Sequence, residues 1–169
     1  MGFSYCAYLI RTSDEGMEAR KVDSRATPLT GGFVCLGRDS WPDWTVAGST
    51  KDFSIKFGEA WFLVGDSRSG VFACEHGKNG EIIRSLAYTG DEGWILAEGN
   101  PEEWESVLFN DRQKSFAGDM IRDEPDKQQW KKELADLEAG ILQVGNMLPI
   151  ADATLIQLIA RKIGTEIQL

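Results

Sequence analysis

Cys74 and His76 are separated by one residue in the run VFACEHGKNG. On an extended strand, residues two apart share a face, so a thiolate–imidazole pair is the first chemistry this chain offers. His76 is the only histidine among 169 residues, so any histidine-based dyad or metal site must use it. Each residue also has a commoner structural use. A small thiol on an apolar strand packs in a core, and a histidine beside a turn sits in solvent. Spacing alone does not establish the geometry of a dyad. No residue is assigned as catalytic on this basis, and a small enzyme using Cys74 and His76 is kept as the alternative reading.

Other chemistries have less behind them. Cys6, Cys35 and Cys74 are odd in number, widely spaced and without a C-x-x-C pair, which speaks against a disulfide framework and a cysteine zinc site. Asp119, Asp123, Glu124 and Asp126 could ligate a hard cation but lack the regular spacing of an EF-hand loop, so a solvated acidic loop is expected there. The run GDSRSG, Gly65 to Gly70, has neither the Walker lysine nor G-x-G-x-x-G spacing, and Ser67 does not sit in G-x-S-x-G. A turn between strands accounts for it. No metal or cofactor is expected.

Charge is more informative. The chain has 27 acidic and 18 basic side chains, a net charge of −9. This balance opposes binding to nucleic acid or an anionic membrane, and favours a basic partner or simple solubility. Between Arg84 and Arg112 there is no Lys or Arg, yet Asp91, Glu92, Glu98, Glu102, Glu103, Glu105 and Asp111 all fall there, with Trp94 and Trp104 among them. Acids flanking an aromatic recur at protein interfaces. The expected partner-binding residues are therefore Asp91, Glu92, Trp94, Glu98, Glu102 and Glu103. Against this, a tryptophan near a strand–helix junction usually packs in a core. The two groups of acids would also lie at opposite ends of a strand about 20 Å long.

The elements that would carry these residues can be read from pattern. FSYCAYLIR and GGFVCLG read as strands, MEARKVDS as a returning strand, and FSIKFGEAWFLVGDS as one or two more. Asn79-Gly80 is the dipeptide of a type I′ hairpin and TGDEG marks a second turn, so residues 71–99 form a three-stranded antiparallel meander. At GNPEEWESVLF the period changes: Asn100 suits a helix cap, Pro101 its first position, and Glu102 and Glu103 its first turn. EPDKQQWKKELADLEAGIL carries an apolar stripe of Trp130, Leu134, Leu137 and Ile141 with Gly140 as a natural terminator, and PIADATLIQLIARKIG has a wide apolar face with Gly164 after its end. RDSWPDW breaks the chain and residues 110–126 are its loosest connection. The expectation is a single α+β domain over 1–169, strand-rich over 1–99 and helix-rich over 100–169, with an antiparallel sheet packed against about three C-terminal helices.

The start MGFSYCAYLIRT has no basic region before its apolar run and no small-residue cleavage site after it. No apolar run reaches the length of a membrane span. A cytoplasmic location with reduced thiols is expected.

The stretch from Trp61 to Glu105, with Arg84, Leu86 and Tyr88 ending a strand and Gly99, Pro101, Glu102, Trp104 and Glu105 leading into a helix, resembles a group of small uncharacterised bacterial α+β proteins. The chain as a whole, small, acidic and without a catalytic signature, resembles immunity proteins of bacterial toxin systems. That resemblance implies a protein that binds a cognate toxin, often over its active site. A basic toxin such as a nuclease would suit the charge. A regulatory interaction domain is a further alternative.

Overall fold

The computed structural model describes residues 4–14, 16–37, 49–109, 127–147 and 153–167. The break at 38–44, the connection 110–126 with its acidic residues, and Asp111 lie outside the described residues. Seven strands form one open antiparallel sheet: β1 Ser4–Arg11, β2 Thr27–Pro28, β3 Phe33–Gly37, β4 Glu59–Asp66, β5 Val71–Lys78, β6 Glu81–Thr89 and β7 Gly93–Gly99, in the order β2-β3-β1-β4-β5-β6-β7. The helices are α1 Met17–Val22, α2 Thr50–Phe57, α3 Lys127–Glu138 and α4 Ala153–Lys162, with a 3-10 helix over Glu103–Phe109. This is the α+β architecture expected, with helical segments C-terminal to the meander.

Both faces of the sheet are covered. On one, Tyr8, Ile10, Val34 and Leu36 pack with Ala19 of α1 and Phe53 of α2. On the other, Leu9, Phe33, Trp61, Leu63 and Leu86 pack under Trp104 and Leu108 of the 3-10 helix and Leu155, Ile156 and Ile159 of α4. A strand buried on both sides reads as an unbroken apolar run rather than an alternation, which is why AWFLV, 60–64, shows no period of two.

The hairpin between β5 and β6 turns at Asn79 (φ 51°) and Gly80 (φ 85°), both left-handed as a type I′ turn requires. The meander over 71–99 is as expected. Two N-terminal segments are not strands. MEARKV is α1, because Asp14 lies just before it and accepts from the amides of Glu18 (2.9 Å) and Gly16 (3.2 Å). TKDFSIKF is α2, started by a capping box in which Ser49 Oγ accepts from the Asp52 amide and Asp52 accepts from the Ser49 amide, and ended by Gly58 at φ 85°. Only the second half of the apolar segment 53–67 becomes a strand.

The outer strand β7 is braced locally. Trp94 donates its amide to Asn146 O (2.9 Å) and accepts from the Gly145 amide (2.7 Å), while Tyr88 OH donates to Met147 O (3.2 Å). Residues 145–147 thus strap the end of α3 to the meander, and the Met147 amide donates to Glu133 of α3 at 2.8 Å.

Candidate functional site

Register places Trp61 of β4, His76 of β5, Arg84 of β6 and Gly99 of β7 side by side across four strands. They make a polar row at one end of the sheet, on the face that the 3-10 helix covers. The His76 ring lies flat on the Trp61 indole, 3.6 Å between centroids and 12° between planes.

Carboxylates close on this row from both sides. His76 Nδ1 meets Glu102 Oε2 at 2.8 Å, and Nε2 faces Glu59 Oε1 at 3.2 Å without the direction of a good hydrogen bond. Each carboxylate also accepts from an indole, Glu59 from Trp61 Nε1 (3.3 Å) and Glu102 from Trp104 Nε1 (2.9 Å). Trp104 meets Trp61 edge to face at 5.7 Å. Glu59 further pairs with Arg11 at 2.6 Å. One residue pair along, Arg84 donates to both oxygens of Glu105 (2.8 and 2.7 Å), and its remaining nitrogen donates to Glu98 O and Gly99 O (3.1 and 2.8 Å). Glu105 Oε1 also accepts from the Glu102 amide at 2.7 Å. Gly99 sits at φ 85° with the Ile83 carbonyl where a side chain would be, so only glycine allows this close passage.

Charge in this cluster balances: Glu59, Glu102 and Glu105 face His76, Arg11 and Arg84. Burial by itself would lower the His76 pKa, but the Glu102 hydrogen bond and the close carboxylates of Glu102 and Glu59 outweigh it, so the imidazole titrates above its ordinary 6.5. The His76 contact pulls Glu59 down to about 2 against the cost of burial. Glu102, although burial opposes it, is also lowered, by hydrogen bonds from His76 and Trp104. The carboxylates favour the charged ring over its ordinary balance, and its nitrogens are engaged or hemmed in.

Cys74 does not join it. Its side chain is in the apolar core with Leu63 and Leu86, and burial, with the nearby carboxylates adding to it, pushes the thiol well above its ordinary value. A thiol that burial keeps from ionising in the core and an imidazole whose ring nitrogens face carboxylates do not make a nucleophile and its base.

The six residues expected to bind a partner separate. Asp91 and Glu92 are exposed in the turn before β7; Glu98 and Glu103 are exposed at its other end. Glu102 is half-buried on His76. Trp94 is 2% exposed, packed edge-on against Phe72 and Tyr88. It is a core residue, because its place on β7 points it under the sheet, and in this position it presents no surface to a partner. Trp104 is likewise buried. Sequence reasoning missed Glu59, Trp61 and the Arg84–Glu105 pair. Their signals were the alternation Arg84, Leu86, Tyr88, which turns Arg84 inward with two core residues, and the three-residue spacing of Glu102 and Glu105.

A small pocket of about 200 Å³ opens beside the cluster, lined by Glu59, Glu102, Glu103, Trp104 and Lys162; Lys162 lies 3.5 Å from Glu103. Among the described residues no group of three or more His, Cys, Asp or Glu side chains is arranged to hold a metal ion, and no helix is long and apolar enough to cross a membrane. No protein-family model, curated protein or solved structure matches this chain.

Proposed function

We propose that this protein is a cytoplasmic, non-enzymatic binding protein that neutralises a basic partner, in the manner of an immunity protein covering the active site of a cationic toxin such as a nuclease. One observation carries the reading. Among the described residues His76 is held between Glu59 and Glu102 and Cys74 lies in the apolar core, whereas Asp91, Glu92 and Glu98 are exposed and make no ion pair. Unpaired carboxylates on a rigid sheet edge suit a cationic surface, where they take the place of phosphate groups.

The acids stand in two groups at the ends of β7, about 20 Å apart. A partner contacting both must be a folded protein and not a small cation. Trp94 is withdrawn from the contact set, and the apolar residue available between the two groups is Ile95, which is 44% exposed. In this reading Asp91, Glu92, Ile95, Glu98 and Glu103 form the contact, while the His76 and Arg84 pairs hold one end of it rigid. Association is steered by charge, so added salt slows it.

The test is co-purification from the native host at low salt, comparing the wild type with a variant carrying Asp91→Asn, Glu92→Gln, Glu98→Gln and Glu103→Gln. The reading expects a basic protein retained by the wild type, lost with the variant, and encoded beside this chain's gene. Recovery of the same proteins by both forms, or of no basic protein, overturns it.

A further inference from the structure

A second cavity, far larger than the first and sharing no lining residue with it, lies between the β2–β3–β1 end of the sheet and the C-terminal turn of α4. Its volume is about 1060 Å³, at the upper end of the range for small-molecule sites. Its walls are not uniform. Gln157 and Arg161, four residues apart on α4, face it together. Tyr5 and Cys35 form the opposite side, their phenol oxygen and sulfur 3.8 Å apart. Leu29 and Ile167 add apolar surface.

The far end is closed by the chain after α4. Gly164 turns it at φ 95°, and the Glu166 amide donates to Thr30 Oγ1 at 3.0 Å. Gly31 passes so close that a side chain there would collide with the Gly164 carbonyl. The cleft is therefore bounded by packed backbone. Within it Arg161 meets no carboxylate at ion-pair distance among the described residues, although Glu166 lines the same space. In a chain of net charge −9, Arg161 is the one basic side chain among the described residues that line this cleft.

We propose that this cleft binds a small organic monoanion, a carboxylate on an apolar body, with Arg161 as its charge partner. The planar guanidinium presents two parallel donors that match a carboxylate, and the Gln157 amide lies on the same helix face to add a third. Burial raises the Tyr5 pKa, so the phenol keeps its proton and remains a donor. Burial also raises the Cys35 thiol, which stays neutral and belongs to the apolar lining. Glu166 supplies specificity by repulsion: a single negative charge can sit on Arg161, while a polyanion such as a nucleic-acid backbone meets the Glu166 carboxylate. This site is independent of the acidic contact surface, and its failure would leave that reading untouched.

The experiment is a titration of the full chain with octanoate, octanol and inorganic phosphate, followed by amide NMR shifts. Octanoate should give saturable shifts confined to the neighbourhood of Tyr5 and to residues 27–35 and 157–167. The Arg161→Gln variant should bind it at least about ten-fold more weakly, the scale of one hydrogen bond to a charged group. Glu166→Gln, also at an exposed position, should bind it several-fold more tightly. Octanol binding as well as octanoate, phosphate binding better than octanoate, or equal octanoate affinity in the Arg161→Gln variant would each overturn the proposal, as would no shifts in the cleft at all.

Discussion

Replacing Arg84 with alanine would leave the Glu105 carboxylate, 3% exposed, without its cation, and remove the guanidinium donor from the Glu98 and Gly99 carbonyls. Breaking a buried pair from one side costs about 3–5 kcal/mol, a large part of the stability of a domain this size. Arg84→Ala should therefore lower the denaturant midpoint severely. The double replacement Arg84→Met with Glu105→Leu should recover part of the loss and not all, because the Glu102 amide and the two carbonyls still lose their partners. Full recovery would mean the pair has no role beyond its mutual charge. His76 makes a separable prediction. Its folded pKa is raised above 6.5, so the imidazolium's stabilisation is complete below pH 6.5 and disappears as pH rises through the folded value. Glu59 and Glu102 are lowered from 4.5, Glu59 to about 2, so their share is complete above pH 4.5 and disappears as pH falls through the folded values. Wild type should exceed His76→Gln most between pH 4.5 and 6.5, with the gap closing on the alkaline side. Urea midpoints at pH 5.5 and 9 measure this, and a gap independent of pH would contradict it.

Helix α2 shows how a local signal decides an element. Ser49→Ala removes the hydroxyl that accepts from the Asp52 amide, and should cost about 1 kcal/mol, read as a shift in denaturant midpoint without change of slope. A neutral result would mean that packing of Phe53 on Tyr8 alone holds the helix. That cap is present in the sequence, as GSTKD, but the apolar residues FSIKF after it match a strand as well as a helix. In α1 the strand reading set aside a run of good helix formers, Met17, Glu18, Ala19 and Arg20, behind Asp14. The meander was legible because its deciding residues are adjacent: Asn79 and Gly80 accept positive φ wherever they stand. The polar row was not, because it depends on which residue of β4 lies opposite His76 and which residue of β6 lies beyond it. Register of that kind is a property of four strands, and no single stretch contains it. Of the residues of the pattern Arg84–Leu86–Tyr88 and Gly99–Glu102–Trp104–Glu105, Arg84, Gly99, Glu102 and Glu105 meet in space, while Tyr88 packs with Trp94 at the other end of β6. The first four join the meander to the 3-10 helix, which gives their spacing a structural reason.

On the scale of the whole molecule, the face of the sheet that carries Trp61, Leu63 and Leu86 is built from residues 4–99, but part of its cover is α4 and Ile167. About 50 residues separate the last strand from that helix, so at translation rates of about 5–20 residues per second the sheet waits roughly 3–10 s for it. During that interval the nascent chain carries a partly uncovered apolar face, the kind of surface that chaperones hold and that aggregates in their absence. A chain ended at residue 147 should therefore bind the dye ANS and sediment, while the full chain does neither; a soluble, dye-silent fragment would show that the strands hold together before their lid is made.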